Sequence, residues 1–312
     1  MPARLLIDCD PGFDDAVALL LAAGHPDAEV VAITTVAGNQ VIDKVTLNAR
    51  RIATLAGLDG PVARGCDRPL VRDQILAGDI HGDSGLDGPA YFEPTVPLSD
   101  RHAVDLIIET VLANPGEITL VPIGPLTNIA MAIRREPRIV EAVAGVSLMG
   151  GSYTRGNTTA TAEFNILVDP EAAAVVFQAG WPMTMVGLDL TEQARITPDV
   201  RARIEAVGNR ASAFAIDLLT SFEQRMRERG WGSMAAMHDA CAVAYALDPS
   251  LMTGEDAYVA VELKGEHSYG MTVTDFRLRE GAANAFVPKV LDTERFWTML
   301  VDSIARIGEP LP

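Results

Sequence analysis

The chain has 312 residues, of which 48% are hydrophobic and 21% charged, a composition typical of a globular protein with a large core. Its 42 acidic residues outnumber 25 basic ones, and the resulting net charge of −17 argues against nucleic acid or an anionic membrane as a partner. The apolar run at 16–23 is far shorter than the ~20 residues that span a bilayer, and residues 1–8 leave no room for a signal-peptide core. The three cysteines follow no repeating spacing, as is usual in a reducing compartment. We therefore expect a cytoplasmic protein.

Short apolar runs alternate with helical patterns through the first two thirds of the chain. In chain order the predicted elements are a strand at 4–7, a helix at 16–23, a strand at 30–36, a helix at 41–55, a strand at 62–63, a helix at 104–112, a strand at 118–123, a helix at 126–135, a strand at 143–149, a helix at 170–179 and a strand at 183–188. Apolar strands separated by helices are typical of a parallel sheet that is covered on both faces. The sequence therefore predicts an α/β fold with an open, mostly parallel sheet flanked by helices.

The C-terminal third changes character. Helical segments are predicted at 198–207 and 211–229, and a strand pair at 257–278. Because no linker composition interrupts the chain, we expect one domain over 1–312. The connections at 64–101 and 150–169 are too long to be simple links, and long ordered loops in compact domains tend to be functional.

Four aspartates, Asp8, Asp10, Asp14 and Asp15, fall within eight residues at the end of the first predicted strand. The helix dipole and helix capping explain Asp14 and Asp15, which open the following helix. They do not explain Asp8 and Asp10, which stand at the carboxyl end of the strand, where open α/β sheets bind ligands. A hard divalent cation would relieve the repulsion between these carboxylates, and a site made only of oxygens favours Ca²⁺ or Mg²⁺ over Zn²⁺.

Polar residues and glycine turns follow other predicted strands at the same edge. Asn39 follows the second strand, a turn at Gly124 follows the strand at 118–123, and Gly150 follows the strand at 143–149. A single cleft explains this arrangement best. Further along, His238 and Asp239 begin an apolar helix, where Asp239 would cap the helix in the simpler interpretation and His238 would be an incidental neighbour.

These motifs together resemble a known family, the Ca²⁺-dependent nucleoside hydrolases of the inosine-uridine preferring type. The resemblance is carried by Asp8-Cys9-Asp10-Pro11-Gly12-Phe13-Asp14-Asp15, Gly124-Pro125-Leu126-Thr127-Asn128, Asn157 with Ala162-Glu163-Phe164-Asn165, Val168-Asp169-Pro170-Glu171-Ala172, and His238-Asp239. It covers nearly the whole chain. It implies the single α/β domain of that family, which usually assembles as a homodimer or homotetramer.

The resemblance also implies roles for individual residues. Ca²⁺ would be bound by the carboxylates of Asp10, Asp15 and Asp239 and by the carbonyl oxygen of Ile123, where the family often has threonine. The ribose would be bound by Asp14, Asn157, Glu163 and Asn165, in a pocket also lined by Asn39 and Met149. His81 and His238 match positions near the base, and Asp8 would support the ligands from behind.

The implied reaction is hydrolysis of the N-glycosidic bond of a ribonucleoside to free base and ribose. Its transition state carries positive charge on C1′ and the ring oxygen, which a dry, anionic pocket stabilises. Calcium would lower the pKa of a bound water, Asp10 would accept the proton of that water as general base, and His238 would protonate the leaving base.

The residues alone leave simpler interpretations open. Glu163 and Asn165 alternate as on one face of an extended segment, His81 could be a solvated loop residue, and Met149 could belong to the core. A haloacid-dehalogenase-like phosphatase also begins with a strand ending in Asp-x-Asp, although Pro11 and Gly12 do not fit it. A non-catalytic nucleoside-binding protein would need neither Asp10 nor His238. The aromatic residues that could stack on a base are Trp231, Tyr153, Phe164, Phe222 and Tyr91.

Overall fold

Nine strands form one sheet in the computed structural model, which describes residues 2–230 and 235–308. In chain order they are β1 (Ala3–Cys9), β2 (Ala28–Thr35), β3 (Val62–Arg64), β4 (Ile118–Pro122), β5 (Gly145–Met149), β6 (Met183–Val186), β7 (Met252–Val261), β8 (Thr272–Asp275) and β9 (Ala285–Leu291). Their order across the sheet is β3-β2-β1-β4-β5-β6-β9-β7-β8. In this spatial order, the first seven strands, which begin with β3 and end with β9, are parallel to one another. The strand β7 is antiparallel to both of its neighbours, β9 and β8. The predicted open, mostly parallel sheet is confirmed.

Helices connect the strands and cover the sheet. They are α1 (Phe13–Gly24), α2 (Ile42–Ala56), α3 (Gly78–His81), α4 (Ala103–Ala113), α5 (Thr127–Arg135), α6 (Ile139–Ala142), α7 (Phe164–Val168), α8 (Pro170–Phe177), α9 (Leu188–Thr191), α10 (Pro198–Val207), α11 (Arg210–Glu228), α12 (Asp239–Leu247) and α13 (Thr293–Ala305), with a short 3₁₀ turn at Pro249–Leu251. Within the described ranges, none of these helices has both the length and the apolar character of a membrane span.

The sheet has a hydrophobic core on each face. Along β1, Leu5 and Ile7 pack into the core formed with α1, α2 and α10 to α13. Leu6 lies between them and packs into the opposite core, formed with α4, α5 and α8. All three side chains are fully buried. Burial on both faces explains why β1 has a continuous apolar sequence instead of alternating apolar and polar residues.

Several predicted elements differ from the structure. The strand predicted at 183–188 ends at Val186, because Leu188 begins α9. The strand pair predicted at 257–278 corresponds to β7 and β8, but β9 was not predicted and lies between β6 and β7 in the sheet. The extended segment predicted around Glu163 and Asn165 is wrong. Glu163 instead caps α7, accepting hydrogen bonds from the backbone nitrogens of Asn165 and Ile166, so local capping overrides the alternating pattern.

Candidate active site

A cavity of about 270 Å³ lies at the carboxyl edge of the parallel strands. Ten of the twelve predicted site residues line it: Asp14, Asn39, His81, Ile123, Met149, Asn157, Glu163, Asn165, His238 and Asp239. The other two, Asp10 and Asp15, are buried behind the lining and belong to the same hydrogen-bonded turn after β1. The structure therefore brings the residues from both long loops and five different elements to one place, as the strand-end pattern predicts.

The turn between β1 and α1 holds Asp10 and Asp15 together through backbone hydrogen bonds. The carboxylate of Asp15 reaches back over the turn and accepts from the backbone nitrogens of Asp10 at 3.0 Å and Gly12 at 2.9 Å. Asn39, which follows β2, donates its backbone N–H to Oδ2 of Asp10 at 2.6 Å and its side-chain amide to Asp15 at 3.2 Å. The position of each carboxylate is thus fixed by neighbouring backbone rather than by a basic side chain.

The carboxylates at this edge crowd one another. Oxygens of Asp14, Asp15 and Asp239 all lie within 4.8 Å of one another. Burial, followed by the negative charge of Asp15, raises the pKa of Asp14 to about 7, and burial raises the pKa of Asp15 to about 6. Burial and the neighbouring carboxylates also raise the pKa values of Asp10 and Asp239 well above the ordinary range. Such a site stabilises either shared protons or a bound cation.

The donor groups fit a hard divalent cation. Oδ1 of Asp10 is fully buried and has no hydrogen-bond partner among the described residues. The backbone approaches this carboxylate closely at two glycines. A Cβ at Gly38 would lie 2.2 Å from Oδ2, and one at Gly124 would lie 2.4 Å from Oδ1, so neither position has room for a side chain. The unpaired Oδ1 of Asp10 and the neighbouring cluster of Asp14, Asp15 and Asp239, which contains no thiolate or imidazole, match the all-oxygen sites of Ca²⁺ and Mg²⁺.

Asp8 lies below this cluster and ties three elements together. Its Oδ1 accepts hydrogen bonds from the Thr34 hydroxyl of β2 at 2.6 Å and from the Asn128 amide of α5 at 2.8 Å. Burial raises the pKa of Asp8 to about 6, against the effect of these two donors. Asn128 also donates to the carbonyl of Thr35, so the two residues hold the carboxyl ends of β1 and β2 in place. Sequence reasoning placed Asn128 in a motif without assigning it this role.

The loop between β5 and α7 supplies the polar side of the cavity. Glu163 accepts a hydrogen bond from the backbone nitrogen of Gly151 at 3.0 Å, and burial raises its pKa. The amide of Asn165 donates to the carbonyls of Ile123 at 3.0 Å and Met149 at 3.2 Å. Asn157 is exposed at the rim and accepts from the backbone nitrogen of Phe164 at 3.0 Å. This loop and the start of α7 thus present carboxylate and amide groups to the cavity.

Two histidines also line the cavity. Nδ1 of His238 lies 2.7 Å from the Thr191 hydroxyl, and burial lowers the pKa of His238, although the nearby Glu192 opposes this effect. Nδ1 of His81 accepts from the backbone nitrogen of Phe13 at 3.3 Å. Burial, assisted by the charge of Arg225, lowers the pKa of His81 to about 4, so this ring is neutral at pH 7.

The simple capping interpretation of Asp239 has no support in the structure. Asp239 is the first residue of α12, and the helix has no side-chain capping bond at His238. The carboxylate of Asp239 instead contacts that of Asp15. His238 and Asp239 therefore both face the cavity, and the helix start serves to place them there.

The cavity beside the histidines is apolar. Phe222 of α11 stacks on Phe13 with ring centroids 5.1 Å apart, and Ile80 and Met226 complete this surface. Of the aromatic residues proposed for stacking, Phe164 and Phe222 line the cavity. Tyr91 is 57% exposed on the surface, Tyr153 packs edge-on against Phe276, and Trp231 lies outside the described residues.

A larger depression of about 610 Å³ lies at the opposite edge of the sheet, next to the amino ends of β4, β5 and β6. Its described lining contains one carboxylate, Asp256, beside Trp181, Tyr245 and Phe286. It lacks the groups that general acid–base or metal chemistry requires, so the smaller cavity is the candidate active site.

The sequence model of the family described as inosine-uridine preferring nucleoside hydrolase matches residues 5–298. The chain is 50% identical to an inosine-uridine preferring nucleoside hydrolase of Crithidia fasciculata, over 99% of this chain and 100% of the relative. It is 42% identical to the pyrimidine-specific ribonucleoside hydrolase RihB of Escherichia coli, over 96% of each chain.

Solved structures show the same likeness in three dimensions. The plant nucleoside hydrolase PpNRh1 superposes with a TM-score of 0.92 at 30% identity, covering 98% of this chain and 99% of that chain. A purine-preferring ribonucleoside hydrolase from Gardnerella vaginalis superposes with a TM-score of 0.91 at 31% identity, covering 97% and 98%. The likeness extends over nearly the full length of each chain.

Proposed function

The chain belongs to the family of inosine-uridine preferring nucleoside hydrolases and hydrolyses the N-glycosidic bond of ribonucleosides, and we propose that it does so with Ca²⁺ at the carboxylate cluster. Asp10, Asp15, Asp239 and the carbonyl oxygen of Ile123 would hold the ion. The proposal rests mainly on Oδ1 of Asp10. This oxygen is buried, has no hydrogen-bond partner among the described residues, and belongs to a carboxylate that the backbone of Gly38 and Gly124 approaches closely. Family membership decides against the haloacid-dehalogenase-like phosphatase and the non-catalytic binding protein.

Calcium, when bound, supplies a positive charge that lowers the pKa of water and orients hydroxyl groups of the sugar. Asp10 accepts the proton of the attacking water as general base. A carboxylate has about four lone-pair sites, so Asp10 can ligate the ion through Oδ1 and still accept this proton, although Oδ2 also accepts from the backbone N–H of Asn39. The water oxygen bonds to C1′ while the C1′–N bond breaks and its electron pair goes to the base.

The polar side of the cavity holds the ribose. Asp14, Asn157, Glu163 and Asn165 face the cavity with oxygen and amide groups that match ribose hydroxyls. The carboxylates of Asp14 and Glu163 also stabilise positive charge that develops on C1′ and the ring oxygen. Because these groups are fixed before the sugar binds, little reorganisation accompanies the transition state.

His238 is the proposed donor to the leaving base. It lies next to Asp239 and lines the cavity beside the apolar surface of Phe222, where a nucleobase would fit. His81 lines the same region, but it lies on the short helix α3, whereas His238 directly precedes Asp239, a proposed ligand of the ion that orients the sugar. We therefore assign His81 to base contact and His238 to donation toward the leaving nitrogen.

Two further properties belong to the same proposal. The family resemblance implies assembly as a homodimer or homotetramer, which the mass of the protein in solution tests against 33.3 kDa for one chain. The three cysteines are free, with two of them buried, as in proteins of a reducing compartment, and a cytoplasmic location is proposed.

The mechanism is tested by steady-state release of base and ribose from inosine, uridine, cytidine and adenosine, with calcium and without phosphate. Asp10→Asn keeps the volume and one oxygen of the side chain but cannot accept the proton, so kcat should fall by ~10² to 10⁴. Asp59→Asn, at an exposed carboxylate, is the matched control and should leave kcat unchanged. Near wild-type turnover by calcium-loaded Asp10→Asn contradicts the general-base assignment, and product formation only with phosphate indicates a phosphorylase.

A further inference from the structure

Thr191 makes a partly buried side-chain contact with His238 on the wall of the cavity. Thr191 is the last residue of α9 and is fully buried. Its hydroxyl oxygen lies 2.7 Å from Nδ1 of His238, 47 residues away in the chain. The contact therefore joins the segment after β6 to the start of α12, on the wall of the cavity.

The surroundings of the Thr191 hydroxyl determine the direction of this hydrogen bond. A hydroxyl has one proton to donate, and within the described ranges Nδ1 of His238 is the only hydrogen-bond partner of this oxygen. A buried donor without an acceptor is unfavourable, so the proton points to Nδ1. In the neutral ring Nδ1 is then the acceptor, and the N–H lies on Nε2. Nε2 has no protein partner in the described part of the chain, and His238 lines the cavity.

Both sides of this contact are anchored to the backbone. On one side, the backbone nitrogen of Leu188 donates to the carbonyl of Gly151 at 2.9 Å, and that of Thr191 donates to the carbonyl of Gly187 at 3.1 Å. On the other side, Met237 donates to Ala194 at 2.9 Å, which ties the residue before His238 to the segment after α9. The hydroxyl and the ring are therefore held at a fixed separation before any ligand binds.

We propose that Thr191 is a positioning residue, whose hydroxyl holds His238 in the orientation and tautomer that present an N–H on Nε2 to the leaving base. The proposal rests on the proposed role of His238 as donor to that base: the neutral ring donates a hydrogen bond through Nε2–H to the negative charge that develops on the base and keeps its proton, and the departing base takes its proton from solvent. It adds a requirement on the substrate, because Nε2–H needs an acceptor atom of the base close to the bond that breaks. Without the hydroxyl, the ring can turn or carry its N–H on Nδ1, and it then presents a lone pair to the base.

The kinetic test compares Thr191→Val, which keeps the shape and removes the hydroxyl, with Thr191→Ser, which keeps the hydroxyl. For calcium-loaded Thr191→Val, kcat on inosine or uridine should fall ~10-fold or more with KM within about 2-fold, as expected from loss of a hydrogen-bonded orientation. On 4-nitrophenyl riboside, whose leaving group departs as a stable anion, kcat should change less than about 2-fold. Thr191→Ser should restore most of the loss. Thr46→Val is the control, because it removes a buried hydroxyl that donates to the carbonyl of Ile42 in α2.

Ring ¹⁵N shifts of His238 provide a second readout that does not depend on turnover. They are assigned in the five-histidine protein by their absence from His238→Ala. The wild-type protein should show an unprotonated Nδ1 and a protonated Nε2, and Thr191→Val should move both toward a mixture. A protonated Nδ1 in the wild-type protein overturns the proposal, and so does an equal loss of kcat on both substrates in Thr191→Val. If His238→Ala itself spares the nucleosides, the donor assignment fails, and the shifts still decide whether Thr191 fixes the tautomer.

Discussion

Removal of divalent cations should make the stability of the protein strongly dependent on pH. A chelator leaves Asp10, Asp15 and Asp239 buried, with Asp14 half-buried beside them, and without a compensating charge. Their pKa values are higher in the folded chain than in the unfolded chain, so the folded state binds protons more tightly. The stability that protonation contributes is complete below pH about 4 and is lost as the pH rises through about 6 to 7.

The size of the effect follows from Asp14 alone. Its pKa rises from 3.8 to about 7, and one pKa unit corresponds to about 1.4 kcal/mol, so the change corresponds to about 4 kcal/mol. From pH 4.5 to the folded pKa of about 7 the pH changes by about 2.5 units, which gives about 3 kcal/mol, so at about 2 °C per kcal/mol the melting temperature of the chelated protein should be about 6 °C higher at pH 4.5 than at pH 8. Calcium should reverse this order, because it binds ionised carboxylates and adds about 2.7 kcal/mol at a hundred times its Kd.

The assay is thermal or urea unfolding at several pH values, with chelator or with calcium, at a fixed salt concentration that screens the net charge of −17. Asp14→Asn should reduce the pH dependence of the chelated protein. Asp59→Asn, which also removes one carboxylate but from the surface, should not. Equal melting temperatures of the chelated protein at pH 4.5 and pH 8, together with no response to calcium, would refute the reasoning.

Two further predictions concern turnover. His238→Ala should lower kcat on inosine or uridine by ~10² or more and change kcat on 4-nitrophenyl riboside little, whereas equal losses would make His238 a residue that positions the ligand or supports Asp239. Gly124→Ala should lower both calcium affinity and kcat, because the new Cβ would lie 2.4 Å from Oδ1 of Asp10, and calcium titration with steady-state kinetics checks this. Gly145→Ala is its control, since a Cβ there would meet only the Pro182 carbonyl at 3.6 Å, and an unaffected Gly124→Ala would mean that Oδ1 has room to move.

The six strands β1 to β6 were predictable because each is a short apolar run that precedes a helical segment. The strand β9 was not, because Pro288 stands inside it and proline cannot donate to a neighbouring strand. The structure accommodates Pro288 opposite Gly254, where the register of β7 shifts, and a Cβ at Gly254 would lie 2.2 Å from the carbonyl of Val287. Such an accommodation depends on a pairing between distant segments, which local pattern does not contain.

In the candidate site, too, some residues were predictable from the sequence and others were not. Aspartates at the end of β1 and Asn39 after β2 were predictable, since the carboxyl ends of parallel strands share one edge. Thr191 was not, because α9 spans only Leu188–Thr191, and the predicted strand at 183–188 covers its first residue and leaves Thr191 outside any predicted element. Its hydroxyl acquires a role only through contact with His238, and Asn128 likewise through contact with Asp8.

A crystal structure of the protein grown with calcium tests the central claim most directly. The account predicts one ion between Asp10, Asp15, Asp239 and the Ile123 carbonyl, with these oxygens ~2.3–2.6 Å from it. Well-ordered carboxylates that are splayed apart, with no density between them, would contradict it.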